Sequence, residues 1–552
     1  MFAFVAVAAK VTSQSVSTYV NPAVPTGEPV PGDYTGPLRP QIHFSPPQNF
    51  MNDPNGMFLD ANGTWHLYYQ YNPTGIVGGN QHWGHATSTD FYHWVNQPIA
   101  LFPPEETVYV FSGSAVVDVN NTSGFFPDQD NGVVAIFTLA HGYYGPQTQN
   151  IAYSHDGGYT FEYYDGNPVI ASNSSQFRDP KVIRYDDYCV AVIAYSQEFV
   201  VGIYNSPDLK NWTLASNFAR HGLLGAQYEC PNLVKMPVRD SNGSMVDSKY
   251  VLAISIQPGA PLGGSITEYF PGDFNGTHFT PLGSATRLTD FAKDNYAAQF
   301  FHGIPDAQNA TVPTGILEGW RSVTTLPRDN YLKNATRIGL VMANELCDLS
   351  PVLDASLNQS TIGNGSVTVD YSTVDSGALY IDANVTGINT TLVTPDSTLN
   401  LSFTSPASGE TLQSGFFFGG DNPFFINRGL IRGFDNVFFT DKFSTANIYS
   451  DGSGSLASWR MQAVIDRSIL EVFVNGGDQA GTVLFYPTQP LSLLHLATRD
   501  LPTGAKVSVS VLALKSAWAE YENEQGTVVG NATRTTNSTG RQDMIYETEF
   551  LV

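Results

Sequence analysis

A loose repeat of strand, tight turn and aromatic residue restricts the fold more than any other feature. In each copy an apolar strand ends in Ser-x-Asp, and a large aromatic residue follows about five residues after the Asp. The copies are Ser88-Thr89-Asp90 with Trp94, Ser154-His155-Asp156 with Phe161, Ser206-Pro207-Asp208 with Trp212 and a degenerate copy, Gly272-Asp273-Phe274-Asn275 with Phe279. Their spacing, roughly 50–65 residues, suits a four-stranded blade with its loops. The Asp closes a hairpin turn and the aromatic fills the space toward the next blade, which predicts a β-propeller.

The pattern changes after this region to shorter and cleaner alternation of apolar and polar residues. Such alternation, with closely spaced turns, predicts a β-sandwich. Its clearest one-face series are Val367, Val369 and Tyr371, and Val507, Val509 and Val511. The predicted domains are a signal remnant and lead-in at 1–37, a catalytic propeller at 38–345, a linker at 346–365, a β-sandwich at 366–521 and a polar tail at 522–552.

Composition agrees with two all-β domains and restricts the partners. At 552 residues the chain is too long for one ordinary core, and its 50 Gly and 34 Pro favour strands and turns over helices. The formal net charge is −24, from 50 acidic against 26 basic residues. A surface this acidic repels phosphate backbones and anionic lipids, so we expect neither a nucleic-acid nor a membrane partner.

Glycosylation sequons indicate a secreted protein. Asn-x-Ser/Thr recurs along the chain, at Asn62, Asn120, Asn121, Asn173, Asn211, Asn242, Asn275, Asn309, Asn334 and later positions up to Asn537. The apolar run Phe2–Ala9 is too short to cross a bilayer, and no other stretch is long enough. We therefore predict a secreted, extracellular or cell-wall-associated, N-glycosylated protein.

The three cysteines, Cys189, Cys230 and Cys347, are odd in number and far apart, so they predict neither a disulfide framework nor a zinc site. Cys230 is interpreted as a small buried side chain beside a pocket. The histidines at 66, 82, 85 and 93 are followed by no matching ligand set and are interpreted as core or surface residues, not a metal site. No metal or cofactor is predicted.

Three carboxylates stand in rigid turn sequences in three different repeats. They are Asp53 in Asn52-Asp53-Pro54-Asn55-Gly56, Asp179 in Phe177-Arg178-Asp179-Pro180 and Glu229 in Tyr228-Glu229-Cys230-Pro231. Taken alone, Asp53 could be an ordinary turn residue that accepts nearby backbone N–H groups. In a propeller, however, the innermost strands face one channel, where carboxylates from different blades can meet. Two carboxyl groups flanking a glycosidic bond are the usual equipment for its hydrolysis.

Local surroundings suggest how these carboxylates divide the work. One must stay ionised and one must be protonated at rest. Asp53 lies in a turn rich in donors, which suits the ionised role. Glu229 lies between Tyr228 and Cys230, apolar company that suits the protonated role. Arg178 beside Asp179 is expected to keep that carboxylate charged.

These motifs, in this order, resemble glycoside hydrolase family 32, with Phe50 where the family has Trp. The resemblance runs from about residue 41 to about residue 518 and includes Phe111-Ser112-Gly113-Ser114 and Arg467-Ser468-Ile469-Leu470-Glu471-Val472-Phe473. It implies an all-β fold, a five-bladed β-propeller followed by a C-terminal β-sandwich. It also implies a retaining enzyme for sucrose or fructans, with Asp53 as nucleophile, Glu229 as acid/base and Asp179 holding fructose hydroxyls. The implied substrate-binding residues are Asn52, Gln70, Phe111, Ser112 and Arg178.

Two departures from the family pattern affect the pocket rim. Gly78 stands where many relatives carry a Trp, which removes an apolar wall on the leaving-group side. The segment Gly303–Thr311 is short and lacks the Ala-Ser-Asn-Trp strand of relatives. Gly78, Glu318 and Trp320 are candidate rim residues, and Glu318 is predicted to bind substrate.

The main prediction is a β-fructofuranosidase, and two alternatives stay open. A fructosyltransferase would use the same carboxylates but pass the fructosyl group to a sugar hydroxyl. An inactive sugar-binding relative is the alternative outside enzymes. The sandwich is predicted to be structural or a surface for a homodimer.

Overall fold

The computed structural model describes residues 24, 32–222, 224–303, 319–335, 338–419, 423–446, 457–519, 521–522 and 528–529. Within these residues the regular structure is strand, apart from two 3₁₀ turns at Ser196–Glu198 and Ser350–Val352. None of the helices in this part of the chain has the length and hydropathy needed to cross a bilayer. The chain is all-β, as predicted.

The first four propeller blades are antiparallel sheets of consecutive strands. Blade I has β1 Asn49–Leu59, β2 Trp65–Asn72, β3 His82–Ser88 and β4 Val95–Leu101. Blade II has β5 Val108–Val117, β6 Val133–His141, β7 Gln147–Ser154 and β8 Glu162–Tyr163. Blade III has β9 Phe177–Tyr185, β10 Tyr188–Tyr195, β11 Val200–Ser206 and β12 Thr213–Ala219. Blade IV has β13 Tyr228–Arg239, β14 Met245–Ile256, β15 Ile266–Phe274, β16 Phe279–Pro281 and the short β17 Arg287–Leu288.

The Ser-x-Asp repeat marks the hairpin between the third and fourth strands of each blade. In blade I the Asp90 carboxylate accepts the Ser88 hydroxyl at 3.2 Å and the backbone N–H groups of Tyr92 and His93 at 2.9 and 2.8 Å. The same bonds recur at Asp156 and Asp208. In the degenerate copy the turn is closed by Asn275, whose Oδ1 accepts from the His278 N–H at 2.8 Å. The predicted turn chemistry is confirmed. In blade IV the residue that closes the turn is Asn275, two positions after the predicted Asp273.

The fifth blade closes the ring through β18 Trp320–Arg321, β19 Arg328–Ala335 and β20 Gly339–Leu346. The pair β18–β1 is parallel, with Asn49 opposite Trp320, while β19 joins blade IV beside β13. Leu59 N–H donates to the His302 carbonyl at 3.0 Å, and His302 N–H donates to the Met57 carbonyl at 2.8 Å. The short segment noted in the sequence falls mostly within residues 304–318, outside the described residues.

The C-terminal domain is a sandwich of two six-stranded antiparallel sheets. One sheet has the order β21-β32-β23-β28-β29-β30 and the other β22-β31-β24-β25-β26-β27. The strands are β21 Leu353–Ile362, β22 Ser366–Asp370, β23 Ala378–Ile388, β24 Thr398–Thr404, β25 Thr411–Phe417, β26 Phe424–Leu430, β27 Lys442–Thr445, β28 Ala457–Asp466, β29 Ile469–Val474, β30 Gln479–Leu484, β31 Leu493–Arg499 and β32 Lys506–Leu514. The predicted inward series, Val367 with Val369 and Val507 through Val511, lies in the core between the sheets.

Three stretches differ from the predicted domain division. Residues 346–365, expected to be a linker, contain β21, which pairs with β32 at the sheet edge. Most of β21 is exposed, so a polar sequence can form it and no apolar alternation marks it. The lead-in is anchored, since Tyr34 is buried and stacks on Trp518 at 3.7 Å between ring centroids. In the predicted tail, β33 Tyr521–Glu522 pairs with β34 Val528–Val529, and the rest lies outside the described residues.

Candidate active site

The three predicted carboxylates lie near the starts of innermost strands from three blades. Asp53 is in β1, Asp179 in β9 and Glu229 in β13. One acceptor atom each of Asp53, Asp179 and Cys230 lies within 4.8 Å of the others. Asp53 and Asp179 are 126 positions apart in the chain, and Cys230 lies 51 positions after Asp179. All three nevertheless reach one site, as the propeller arrangement predicts.

Irregular backbone aims these side chains into the channel. The β1–β2 pairing shifts register between Met51 and Pro54, around Asp53, and the β13–β14 pairing shifts between Glu229 and Asn232. Asp179 and Cys230 have positive φ, 65° and 45°. Bulges and left-handed residues redirect side chains and are common beside active sites. Gly56 ends the Asp53 turn with φ of 51°, and a Cβ there would lie 2.7 Å from the Tyr68 ring.

Donors hold one oxygen of Asp53 and leave the other free. The Ser112 hydroxyl donates to Asp53 Oδ2 at 2.6 Å, and the Cys230 thiol lies 3.4 Å from the same oxygen. Asp53 Oδ1 is buried and has no hydrogen-bond partner among the described residues. The carboxylate is thus fixed in orientation with one oxygen available to a ligand.

Hydrogen bonds to a neighbouring strand and to Thr138 hold Asp179 in place. Its Oδ2 accepts the Cys230 N–H at 2.9 Å, and its own N–H donates to Thr138 Oγ1 at 3.1 Å. The Cys230 thiol lies 3.7 Å from Asp179 Oδ2. Cys230 is buried beside the pocket, as predicted, and its N–H and its thiol also contact the carboxylates of Asp179 and Asp53.

Glu229 has polar neighbours, which corrects the expectation of apolar surroundings. Arg178 Nη2 and Nε donate to Glu229 Oε1 at 2.9 and 3.2 Å, and the Tyr296 hydroxyl donates to Oε2. Arg178 also donates to the side-chain oxygens of Gln147 at 3.3 Å and Gln176 at 3.0 Å. The guanidinium predicted to serve Asp179 makes its ion pair with Glu229 instead.

Burial raises the pKa of both aspartates. It raises the pKa of Asp179 to about 7, because desolvation outweighs the opposing Arg178 charge and the Asp53 and Glu229 carboxylates add to the rise. Burial also raises the pKa of Asp53, against the Ser112 hydrogen bond and with the help of the Glu229 charge. Asp179 is therefore not kept fully charged, contrary to expectation. With a pKa of about 7, Asp179 holds a proton at mildly acidic pH.

Two further predicted binding residues carry unpaired polar atoms beside Asp53. Gln70 lies on β2 opposite the irregular stretch of β1 that contains Asn52 and Asp53. Asn52 Oδ1 and Gln70 Nε2 are buried without a hydrogen-bond partner in the described part of the chain. Buried polar atoms are almost always paired, so this group is suited to a ligand with several hydroxyl groups.

The remaining predicted positions fall on the wall and the rim. Phe111 is half-buried on β5, and its carbonyl accepts the Trp83 indole N–H at 3.1 Å. A Cβ on Gly78 would lie 3.8 Å from the Phe50 ring, so a side chain there would face this wall. Trp320 is buried and contributes to packing, contrary to its suggested place on the rim. Glu318 lies outside the described residues.

Tyr296 and Gln147 belong to the site but were not predicted. Tyr296 lies 67 residues after Glu229, in a stretch without a regular strand. Gln147 begins β7, two strands away from the carboxylates in sequence order. Neither stands in a turn motif, so only the ring closure of the propeller reveals them.

The cluster of Asp53, Asp179 and Cys230 has donor atoms close enough to consider a metal ion. A thiol must lose its proton to bind a metal well. Burial and the adjacent carboxylates raise the pKa of Cys230 well above its usual value. The thiol is therefore a hydrogen-bond donor here, and the set does not suit a resident cation.

A cluster of carboxylates with one guanidinium in a propeller channel defines a carbohydrate-cleaving enzyme. The chain belongs to glycoside hydrolase family 32. Residues 43–343 match the Glycosyl hydrolases family 32 N-terminal domain, and residues 356–513 match the Glycosyl hydrolases family 32 C terminal domain.

Similar proteins include enzymes of yeasts. The chain is 40% identical over 493 residues to Invertase 2 of Saccharomyces cerevisiae, covering 82% of this chain and 90% of that protein. It is 39% identical over 473 residues to an extracellular exo-inulinase of Meyerozyma guilliermondii, covering 81% and 90%. A fructofuranosidase variant from Schwanniomyces occidentalis, solved with fructosylnystose, superposes with a TM-score of 0.78 at 33% identity and covers 89% of this chain and 100% of that one.

Proposed function

We propose that this protein is a retaining β-fructofuranosidase that removes the terminal fructosyl unit from sucrose and related fructans. The observation that carries the proposal is the group of unpaired polar atoms on Asn52, Asp53 and Gln70 beside the carboxylates of Asp179 and Glu229. The activities named for the similar invertase and exo-inulinase support the same conclusion.

In the first half-reaction we assign the attack to Asp53. Its free Oδ1 forms a bond to the anomeric carbon of fructose while Ser112 holds Oδ2. Glu229, in its protonated form, gives its proton to the glycosidic oxygen, and the leaving sugar departs as an alcohol. The product is a fructosyl ester on Asp53.

In the second half-reaction Glu229 is a carboxylate and acts as base. It takes a proton from water, whose oxygen attacks the anomeric carbon and releases Asp53. Arg178 is ion-paired with Glu229 and holds its carboxyl group in place, so we assign it a positioning role. Two displacements on one carbon return the original configuration.

We assign the recognition of fructose to the neighbouring groups. Asp179 binds fructose hydroxyls through its carboxylate, and Asn52, Gln70, Ser112 and Arg178 supply further polar contacts. The half-buried ring of Phe111 forms a wall. The raised pKa of Asp179 suits a group that binds hydroxyls in either protonation state.

The test is sucrose turnover with the products separated by chromatography and the first-formed anomer followed by NMR. We expect equal glucose and fructose, with β-fructofuranose appearing first. Glucose in excess with a trisaccharide would indicate transfer as the main reaction. Sucrose binding without any release of glucose, unchanged in Asp53→Ala, would contradict both enzymatic functions.

We also propose secretion with N-glycosylation, supported by the sequons and by the extracellular exo-inulinase relative. A homodimer formed through the sandwich remains a proposal. Glycosidase-shift electrophoresis and light scattering of the secreted protein test these two points, and an unshifted band or a monomer mass would contradict them.

A further inference from the structure

One loop of blade II lies at the mouth of the channel. The carboxylates stand near the starts of β1, β9 and β13, so the mouth is where innermost strands begin. On blade II this end is the start of β5, where Val108 pairs with His141 at the end of β6. The β6–β7 loop, residues 142–146, is therefore a rim loop.

This rim loop is tied to the proposed acid/base group. Its first residue, Gly142, donates to the Thr107 carbonyl at 2.9 Å, and the His141 N–H donates to the Pro146 carbonyl at 3.0 Å. The next residue, Gln147, accepts from Arg178, which is ion-paired with Glu229. The loop thus ends two hydrogen-bonded contacts from Glu229.

The loop presents two tyrosines to solvent. Tyr143 and Tyr144 are 77% and 86% exposed, and their rings meet edge to face at 4.8 Å between centroids. Two adjacent aromatic side chains so fully exposed on a soluble surface suggest a binding role. No fold contribution explains them, because neither ring is in the described apolar clusters of the propeller.

Two more aromatic residues connect the pocket wall with the rim. Phe111 and Tyr109 alternate on β5, so they share a face, and their rings are nearly parallel, 20° apart, at 6.5 Å. Both are half-buried. Phe111 and Tyr109 on β5, together with the Tyr143–Tyr144 pair in the rim loop at the same end of the blade, make up the blade II aromatic row.

We propose that this blade II aromatic row binds the outer sugar rings of a fructan chain whose terminal unit occupies the catalytic site. Sugar rings have apolar C–H faces and hydroxyl edges, which match the apolar body and polar tip of Tyr. Tyrosine also loses little conformational entropy when it is ordered. A neutral ligand suits a chain of net charge −24. The inference rests on the proposed function and adds a chain-length preference to it.

The test compares a fructan of about ten units with sucrose in the double variant Tyr143→Ala/Tyr144→Ala. We expect kcat/KM to fall about tenfold for the fructan, a loss of about 1.4 kcal/mol, and less than twofold for sucrose. Tyr143→Phe/Tyr144→Phe keeps the rings and should retain most fructan activity. Phe417→Ala, which removes an exposed aromatic from the sandwich, is the control and should leave the ratio unchanged.

Equal losses on both substrates, or no loss on the fructan, would overturn the subsite. Failure of the proposed function is a different result, namely a wild-type protein that cleaves neither substrate. Calorimetric titration of the same fructan into Asp53→Asn, with and without the two tyrosines, tests the subsite independently of turnover. Equal affinity in these two proteins would refute fructan binding by the two tyrosines, and weaker binding without the tyrosines would support it.

Discussion

Two buried groups of charged residues in this protein are neutralised in different ways. In the active-site cluster, Arg178 is ion-paired with Glu229 and its charge also acts on Asp179, whereas Asp53 is held by the uncharged donors Ser112 and Cys230. In the interdomain cluster, Asp466 and Glu471 are matched by two cations, His43 and Arg328, while burial raises the pKa of Asp290, 3.6 Å from the same guanidinium, to about 6. The side chains of the interdomain cluster are completely buried, and it joins the propeller to the sandwich.

The interdomain carboxylates are surrounded by donors. Asp466 accepts three consecutive backbone N–H groups, from residues 41 to 43, at 2.8 to 3.2 Å, and His43 Nδ1 at 2.8 Å. Glu471 contacts His43 Nε2 at 3.1 Å, Arg328 Nη2 at 2.6 Å and the Leu326 N–H at 2.6 Å. These contacts outweigh burial, lowering the pKa of both carboxylates and raising that of His43 to about 9.

The difference shows that burial alone does not set the role of a carboxylate. Where donors and cations are sufficient, the pKa falls and the charge holds two domains together. Where they are insufficient, as at Asp53 and Asp179, the pKa rises, and at Asp179 it reaches about 7. Buried carboxylates with too few donors lower the stability of the fold, and their raised pKa supports acid/base chemistry. The comparison predicts that replacing a carboxylate by its amide stabilises the fold at Asp179 and destabilises it at Asp466.

The largest effect is expected from Asp53→Asn. The amide cannot form the fructosyl ester, so kcat for sucrose should fall by at least about 10⁴-fold. The fold should persist, since the amide oxygen can still accept the Ser112 hydroxyl. Rates and circular dichroism measure the two parts. A variant with a tenth or more of the wild-type kcat would remove Asp53 from the nucleophile role.

The next largest effect is expected from His43→Gln, which leaves Asp466 and Glu471 buried without their shared cation. The free energy of unfolding should fall by about 3–5 kcal/mol. Because the folded pKa of about 9 lies above the usual 6.5, the His43 contribution is complete below about pH 6.5 and lost as pH rises through about 9.

Denaturant unfolding of wild type and His43→Gln from pH 6 to pH 10 tests this dependence. The difference in free energy of unfolding between wild type and His43→Gln should narrow above pH 9. The kcat of the folded variant should stay near that of wild type. A gap that is constant with pH would mean that His43 acts by packing and not by charge.

A smaller effect of opposite sign is expected from Asp179→Asn. The folded pKa of about 7 lies above the ordinary 3.8, so ionisation of Asp179 opposes folding increasingly between pH 4 and pH 7. The neutral amide should therefore unfold at higher temperature than wild type at pH 8, with a gain on the order of 2 kcal/mol, and with little gain at pH 4.

Activity of Asp179→Asn should fall even as its stability rises. Asp466→Asn is the matched control, since the pKa of Asp466 is lowered by His43 and the backbone donors. That variant should be destabilised at neutral pH, and its deficit should shrink in acid. Stabilisation of both variants, or of neither, would end the proposed contrast.

Local sequence was enough to predict the turns and the innermost-strand carboxylates. The Ser-x-Asp hairpins follow from hydrogen bonds within a few residues, and the sandwich core follows from alternation at Val507, Val509 and Val511. The directions in which the active-site side chains point were harder to predict from the sequence. A φ of 65° at Asp179 turns its carboxylate away from the line of the preceding Arg178, which pairs across the channel with Glu229.

Partners brought together by ring closure carry no local signal either. Tyr296 contacts Glu229 from the stretch between β17 and β18, which has no recognisable motif, and β21 is an exposed edge strand without an apolar pattern. The two departures from the family pattern have different outcomes. A Cβ on Gly78 would lie 3.8 Å from the Phe50 ring, and the loss of an apolar wall there stays a prediction, whereas most of the short segment and Glu318 lie outside the described residues.

The smallest effect is expected from Ser112→Ala, which removes one donor from the under-neutralised cluster. The Ser112 hydroxyl lowers the pKa of Asp53, so its loss should raise that pKa. Since Asp53 must be ionised to attack, the acid limb of kcat/KM for sucrose should move up by about one pH unit, the worth of a hydrogen bond to a charged group. Activity should fall most at acidic pH and least near neutrality.

Ser114→Ala is the matched control for Ser112→Ala, because Ser114 lies two residues along the same strand and bonds backbone. Its hydroxyl donates to the Pro180 carbonyl at 3.0 Å and accepts the Val182 N–H at 2.9 Å. Ser114→Ala should lower the melting temperature without moving the acid limb of kcat/KM. If both variants move the limb equally, the shift reports altered blade packing; if only Ser112→Ala does, the donor count around Asp53 sets the pH range of the enzyme.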